Sequence, residues 1–348
     1  MVEKKVSLKT QRLLDRAKKI AKKGEYDEAE NLYQSVLKDA PNNSEAKKEL
    51  LLIEGSKKNI RAPRVELQKI ISIYSEGNIK KTLKEVEKLN KKFPKEPVLF
   101  NISGACYKTL NKLEFAINSF KKALEIEPEY VEAEYNLGIA LRESGQIDEA
   151  KKCYENVLKI NHAYPNVHNN LGNIFLELNE LASALNHFEW AVAYQPEFIT
   201  AYNNLGATFL ALGRFEDAVK NYETLIALDP EALEAYNNLG IAFHRLDKIN
   251  LAVDSYQKAI KLESNYSLAH NNLGNAYRDL GELGQALKSY KKAIDTKPDY
   301  AEAHNNLGNV YKDMGKIDKS IEFYEKAILL KPEYPEAQNN LDNTKSLK

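Results

Sequence analysis

The stretch YNNLGATFLALGRFEDAVKNYETLIALDP, residues 202–230, decides the fold. Tyr202, Leu205, Gly206, Phe209 and Leu212 fall on one side of a helix at 100° per residue. Gly213 follows, a residue that tolerates the left-handed backbone ending a helix. Ala218 and Tyr222 belong to a second helix, and Pro230 closes it. The stretch is a helical hairpin.

Working outward, Gly206 has counterparts at Gly104, Gly138, Gly172, Gly240, Gly274 and Gly308, each 34 residues after the last. With that glycine as position 8 of a repeat, other columns keep phase. Position 20 reads Ala116, Ala150, Ala184, Ala218, Ala252, Ala286 and Ser320. Position 24 is aromatic throughout: Phe120, Tyr154, Phe188, Tyr222, Tyr256, Tyr290 and Tyr324. Position 15 is Asn111, Gly145, Asn179, Gly213, Asp247, Gly281 and Gly315. Position 32 is proline except at His162 and Ser264. One hairpin cannot bury its apolar side alone, so neighbouring repeats must stack into a continuous core.

These columns resemble the tetratricopeptide repeat family, most fully in residues 267–300, where His270, Leu273, Gly274, Tyr277, Ala286, Tyr290 and Pro298 carry the motif. The resemblance implies an all-α, right-handed superhelical solenoid with first helices lining a concave side. Upstream, a weaker copy spans 63–96, with Thr82 and Val86 in the small and aromatic places. Another fits 10–43, through Gly24, Tyr26, Ala29, Tyr33 and Pro41. The expected organisation is therefore 1–54, a degenerate repeat plus capping helix; 55–62, a linker; 63–334, eight consecutive repeats of which 63–96 is degenerate; and 335–348, a capping helix. That last segment reads equally as the edge of a longer chain.

Positions 2, 5, 6, 9, 12 and 13 of the first helix fall opposite the packing side, as a groove. Position 6 is Asn136, Asn170, Asn204, Asn238, Asn272, Asn306 and Asn340. Position 5 adds Asn169, Asn203, Asn237, Asn271, Asn305 and Asn339, and position 9 adds Asn173, Asn275 and Asn309. Asparagine offers two donors and an acceptor, suited to a peptide backbone whatever its side chains. The ladder resembles the repeat arm of the O-GlcNAc transferases, which implies an extended peptide as ligand. Position 6 also has a structural reading, a hydrogen bond to a neighbouring helix. The double column favours the groove, because asparagine is a poor helix former that packing does not obviously demand. Position 13 reads Glu143, Glu177, Ala211, Arg245, Asp279 and Asp313 and position 12 gives Arg142, His244, Arg278 and Lys312, mixed signs that argue against a basic clamp for an acidic terminus.

No acid, base and nucleophile assemble, and the motifs for phosphate loops, serine elbows and zinc helices are absent from the sequence. His168, His270 and His304 share position 4 on the packing side, so no metal or cofactor is expected. Cys106 and Cys153 sit at unrelated positions and read as small core residues. Fifty basic and 50 acidic residues leave a net charge of zero, which argues against a nucleic-acid binder. Residues 1–96 are nonetheless basic, 24 against 15, and read as a solvated helical surface rather than a contact for nucleic acid or acidic lipid. No apolar run reaches a membrane span or a signal-peptide core, which leads to a cytoplasmic expectation. The reading is a non-enzymatic scaffold binding a partner protein or extended peptide. The alternative is the substrate-recruiting arm of a larger glycosyltransferase- or sulfotransferase-type enzyme. Weakly capped ends also suggest a homodimer.

Overall fold

The computed structural model describes residues 8–57 and 61–347. All its secondary-structure elements are α-helices, twenty among the described residues. They divide into two compact halves, with the boundary between His162 and Ala163.

The N-terminal half holds α1 (Leu8–Ala21), α2 (Tyr26–Asp39), α3 (Ser44–Lys57), α4 (Arg64–Ser75), α5 (Ile79–Lys92), α6 (Pro97–Thr109), α7 (Leu113–Ile126), α8 (Val131–Glu143) and α9 (Ile147–Ile160). Leu14, Ala17, Ala29, Tyr33 and Val36 of α1 and α2 form one core with Ala46 and Ile53 of α3. Ile70, Val86, Leu89, Leu99, Ile102 and Cys106 form another, so Val86 fills the aromatic place of the degenerate repeat. The expected linker 55–62 falls partly on residues 58–60, outside the described residues. At its end, Glu96 is 4% exposed and its Oε2 accepts the Ala62 amide at 3.0 Å. Its Oε1 accepts Val98 N at 3.4 Å, capping α6.

The C-terminal half holds α10 (Pro165–Glu177), α11 (Leu181–Tyr194), α12 (Ile199–Ala211), α13 (Phe215–Leu228), α14 (Leu233–Arg245), α15 (Ile249–Leu262), α16 (Ser267–Asp279), α17 (Leu283–Thr296), α18 (Ala301–Asp313), α19 (Ile317–Leu330) and α20 (Pro335–Lys345). Each helix packs on the next. First helices also touch the following first helix, α12 on α14, α14 on α16, α16 on α18 and α18 on α20. Each half is thus a stretch of all-α solenoid.

From residue 97 onward the first helix occupies positions 1–13 and the second 17–30. Pro97, Pro165 and Pro335 open their helices, where the missing amide would have had no partner. Position 15 carries the reversal: Gly145, Gly213, Gly281 and Gly315 have φ between 71° and 81°, and Asn111, Asn179 and Asp247 adopt 56° to 59°. The position-20 column is 0% exposed and the position-24 rings at most 1%. The glycine at position 8 proves to be shaped by that ring. A Cβ on Gly274 would stand 2.6 Å from Tyr290, and one on Gly206 2.5 Å from Tyr222. The aromatic ring fills the place a Cβ would take, so the two columns are one contact.

Candidate functional site

The first helices of the C-terminal half present positions 5, 6, 9, 12 and 13 side by side, and the asparagines there are bonded to one another. Asn204 Nδ2 donates to Asn169 Oδ1 at 3.0 Å and Asn272 Nδ2 to Asn237 Oδ1 at 3.0 Å. Asn306 donates likewise to Asn271, and Asn340 to Asn305, both at 3.0 Å. Asn136 repeats the pattern in the N-terminal half, donating to Asn101 at 3.0 Å. Each rung joins position 6 of one repeat to position 5 of the repeat before, 35 residues away.

Burial differs between the two columns. Asn169, Asn237, Asn271 and Asn305 are 7%, 4%, 6% and 0% exposed, held between neighbouring first helices. The expectation that position 5 opens to the groove is met by neither their burial nor their bonding. Buried acceptors need donors, and the next repeat supplies them. Asn203 is half-buried without a rung, and Asn238 Oδ1 accepts from its own neighbour Asn237 at 3.3 Å. Asn339, in the last helix, is exposed. The seven position-6 residues are all half-buried. So are Asn173, Asn275 and Asn309, whose Oδ1 atoms close the network: Tyr290 Oη donates to Asn275 at 2.6 Å and Tyr324 Oη to Asn309 at 2.7 Å. Asn204 and Asn306 give a second hydrogen each to Asn173 and Asn275, at 3.2 and 3.3 Å.

A second rung follows the same vector. Position 12 pairs with position 13 of the next repeat in Lys108–Glu143 at 2.8 Å, His244–Asp279 at 2.7 Å and Arg278–Asp313 at 2.7 Å. This pairing accounts for the mixed signs read in the sequence. Each such exposed pair contributes under about 1 kcal/mol, so it sets register more than stability.

His270 and His304 are buried at position 4, where Nε2 donates to the Ser264 and Pro298 carbonyls at 2.9 and 3.0 Å. His168 is buried beside His187, Nδ1 to Nδ1 at 3.0 Å, in a cluster with Phe175, Trp190 and Tyr194. Among the described residues no group of three His, Cys, Asp or Glu side chains is placed to hold a metal. Burial pushes the Cys106 thiol up to about 11 and the Cys153 thiol to about 12, leaving neither reactive near neutrality. No helix among the described residues is long and apolar enough to cross a membrane.

Models described as TPR repeat and Tetratricopeptide repeat together match this chain without a gap from residue 104 to 334. The chain belongs to the tetratricopeptide repeat (TPR) family. A TPR protein of Parabacteroides merdae superposes with a TM-score of 0.54 at 17% identity, over 74% of this chain and 98% of that one. A thermophilic TPR protein of Thermus thermophilus gives 0.46 at 26% identity, over 52% and 98%. The Peroxisomal targeting signal receptor of Saccharomyces cerevisiae is 28% identical over 88 residues, 25% of this chain and only 14% of that receptor. The TPR repeat and a bond from position 6 to a neighbouring helix were legible in the sequence, and the partner of that bond at position 5 was not. The signal of that pairing is a spacing of 35 between asparagines, one more than the period that organises everything else.

Proposed function

We propose that the chain is a non-catalytic TPR scaffold that holds a partner protein, through an extended segment, along the open side of its first helices. The observation that carries this is what the rungs leave unspent. Asn204, Asn272, Asn306 and Asn340 give their amide hydrogens to the preceding repeat, while their Oδ1 atoms accept nothing from the described residues. Each such repeat therefore offers one oriented acceptor, matched to a peptide N–H and indifferent to side chains. Orientation is fixed before any ligand arrives, which lowers the ordering cost of binding. Proteins sharing the repeat accord with this, one being a receptor by name.

The test is to select random peptides on the full chain and measure the best of them against Asn204→Ala/Asn272→Ala/Asn306→Ala/Asn340→Ala. Four modest bonds of about 0.5–1.5 kcal/mol each predict a loss of roughly 2–6 kcal/mol if they add. Because the same side chains form the rungs, the melting temperature falls too, so binding is measured well below it. Unchanged affinity in the folded variant would sink the reading.

A further inference from the structure

The charged rungs break where the cavity is. Position 12 of the repeat 199–232 is Leu210, so Arg245, at position 13 of the next repeat, meets no rung carboxylate. Arg245 is exposed and pairs with no acidic group among the described residues; its guanidinium carbon rests 6.0 Å from the centroid of the Phe215 ring. Ring contact leaves the in-plane N–H donors unspent. The side chain lines a cavity of about 620 Å³ with Ile241, His244, Asp247, Tyr256, Asn272 and Asn275.

The polar atoms of this cavity are already sorted. Asn275 Oδ1 is occupied by Tyr290 Oη and Asn306 Nδ2, so what Asn275 has left to offer is its amide N–H group. Asn272 Nδ2 gives one hydrogen to Asn237, and its Oδ1 accepts nothing from the described residues. Two donors, Arg245 and Asn275, thus sit in one cavity with Asn272 Oδ1, the Tyr256 hydroxyl and, on its wall, the Asp247 carboxylate. Toward the preceding repeat the same side turns apolar, through Ala207, Leu210 and Ala211 beside Ile241. Asp247 on the cavity wall opposes any ligand carrying a run of negative charges.

We infer that this cavity is a subsite for a single carboxylate of the bound segment, held by Arg245 and Asn275, with an aliphatic residue beside it over Ala207, Leu210 and Ala211. Asn272 Oδ1 takes the intervening peptide N–H. The inference rests on the groove reading above and adds to it a side-chain preference and a register. The carboxylate belongs to an Asp or Glu side chain or to the end of the partner's chain, and both sources present the same two oxygens.

Random peptides displayed either with a free C-terminus or with that end blocked are selected on the full chain, and the strongest is synthesised. The expected peptide carries one Asp or Glu, or a required free terminus, next to an aliphatic residue. Replacing that acid by its amide, or amidating the terminus, identifies which source is used. Either the right one of these changes or Arg245→Gln weakens binding about tenfold or more, and combining them adds little. Arg245→Lys recovers only part, because the planar fork is lost. Arg245 is exposed, so an unchanged melting temperature checks that the variant folds. Peptides that lose affinity with the asparagine variant but bind Arg245→Gln as tightly as the parent overturn the subsite and leave the groove standing. Peptides indifferent to both sets of changes overturn both.

Discussion

Gly274 and Gly213 are both glycines for reasons of geometry, and the reasons differ. Around Gly213, at φ 71°, nothing stands within 4 Å of an added Cβ, so substitution strains backbone alone. Gly213→Ala is expected to cost about 1–2 kcal/mol, and Gly213→Asn less, because Asn111 and Asn179 already adopt this conformation. Gly274→Ala instead drives a Cβ into the Tyr290 ring and is expected to cost about 1–3 kcal/mol. Thermal melts of the three variants check the order, and trimming Tyr290 to Leu should relieve Gly274→Ala while leaving Gly213→Ala unrelieved. His304 adds a pH dependence. Burial holds its imidazole below the usual 6.5, opposed by its bond to the Pro298 carbonyl. The unfolded chain then takes up the proton first, so this stability is present above about 6.5 and lost as pH falls toward the folded value. The drop in melting temperature between neutral and mildly acidic pH should be smaller in His304→Tyr, a residue already used at this position in Tyr202 and Tyr236. An equal drop in both proteins contradicts the assignment.

At the scale of elements, Glu96 ties the segment before α4 to the start of α6. One buried carboxylate serves two amides, Ala62 and Val98, with Arg61 alongside at 3.9 Å. Glu96→Ala leaves those amides without their acceptor and should cost about 1–3 kcal/mol, read as lost hydrogen-exchange protection at Ala62. Protection unchanged there would mean the carboxylate does not hold this segment. Helices and their ends were legible in the sequence, since Gly or Asn at position 15 and Pro at position 32 mark where a chain must turn. The role of position 5 was not. Seen alone, Asn237 is a polar residue on a helix; its burial depends on how closely α14 and α16 approach, which no single helix encodes. The division at His162 and Ala163 was invisible for the opposite reason, because the 34-residue period runs through it unchanged. Arg245 was visible only as the basic member of a mostly acidic column, because its meaning lies in a missing neighbour, Leu210, one repeat away.

At the scale of the molecule, stability is a sum of repeats and of the contacts between adjacent repeats. Excising 233–266 as a block brings the repeat 267–300 against 199–232, and Asn272 then meets Asn203 as its position-5 acceptor. The shortened chain is expected to fold, with helical circular dichroism reduced by one hairpin, and to lose the Arg245 cavity while keeping the other rungs. Excising 33 residues instead shifts the one rung across the junction off its partner, and this chain should melt lower and less cooperatively than the 34-residue deletion. Equal stability of the two deletions would show that the rungs do not set register. A repeat in a full ladder, such as 267–300, contributes half of the rung on either side of it, a donor toward the chain's start and an acceptor toward its end. The bonds are therefore interchangeable between copies, so unequal recombination between repeats can lengthen or shorten the gene without spoiling a junction. Copy number can drift under selection for reach, while the exceptions inside a copy, such as Arg245, record what that copy has come to recognise.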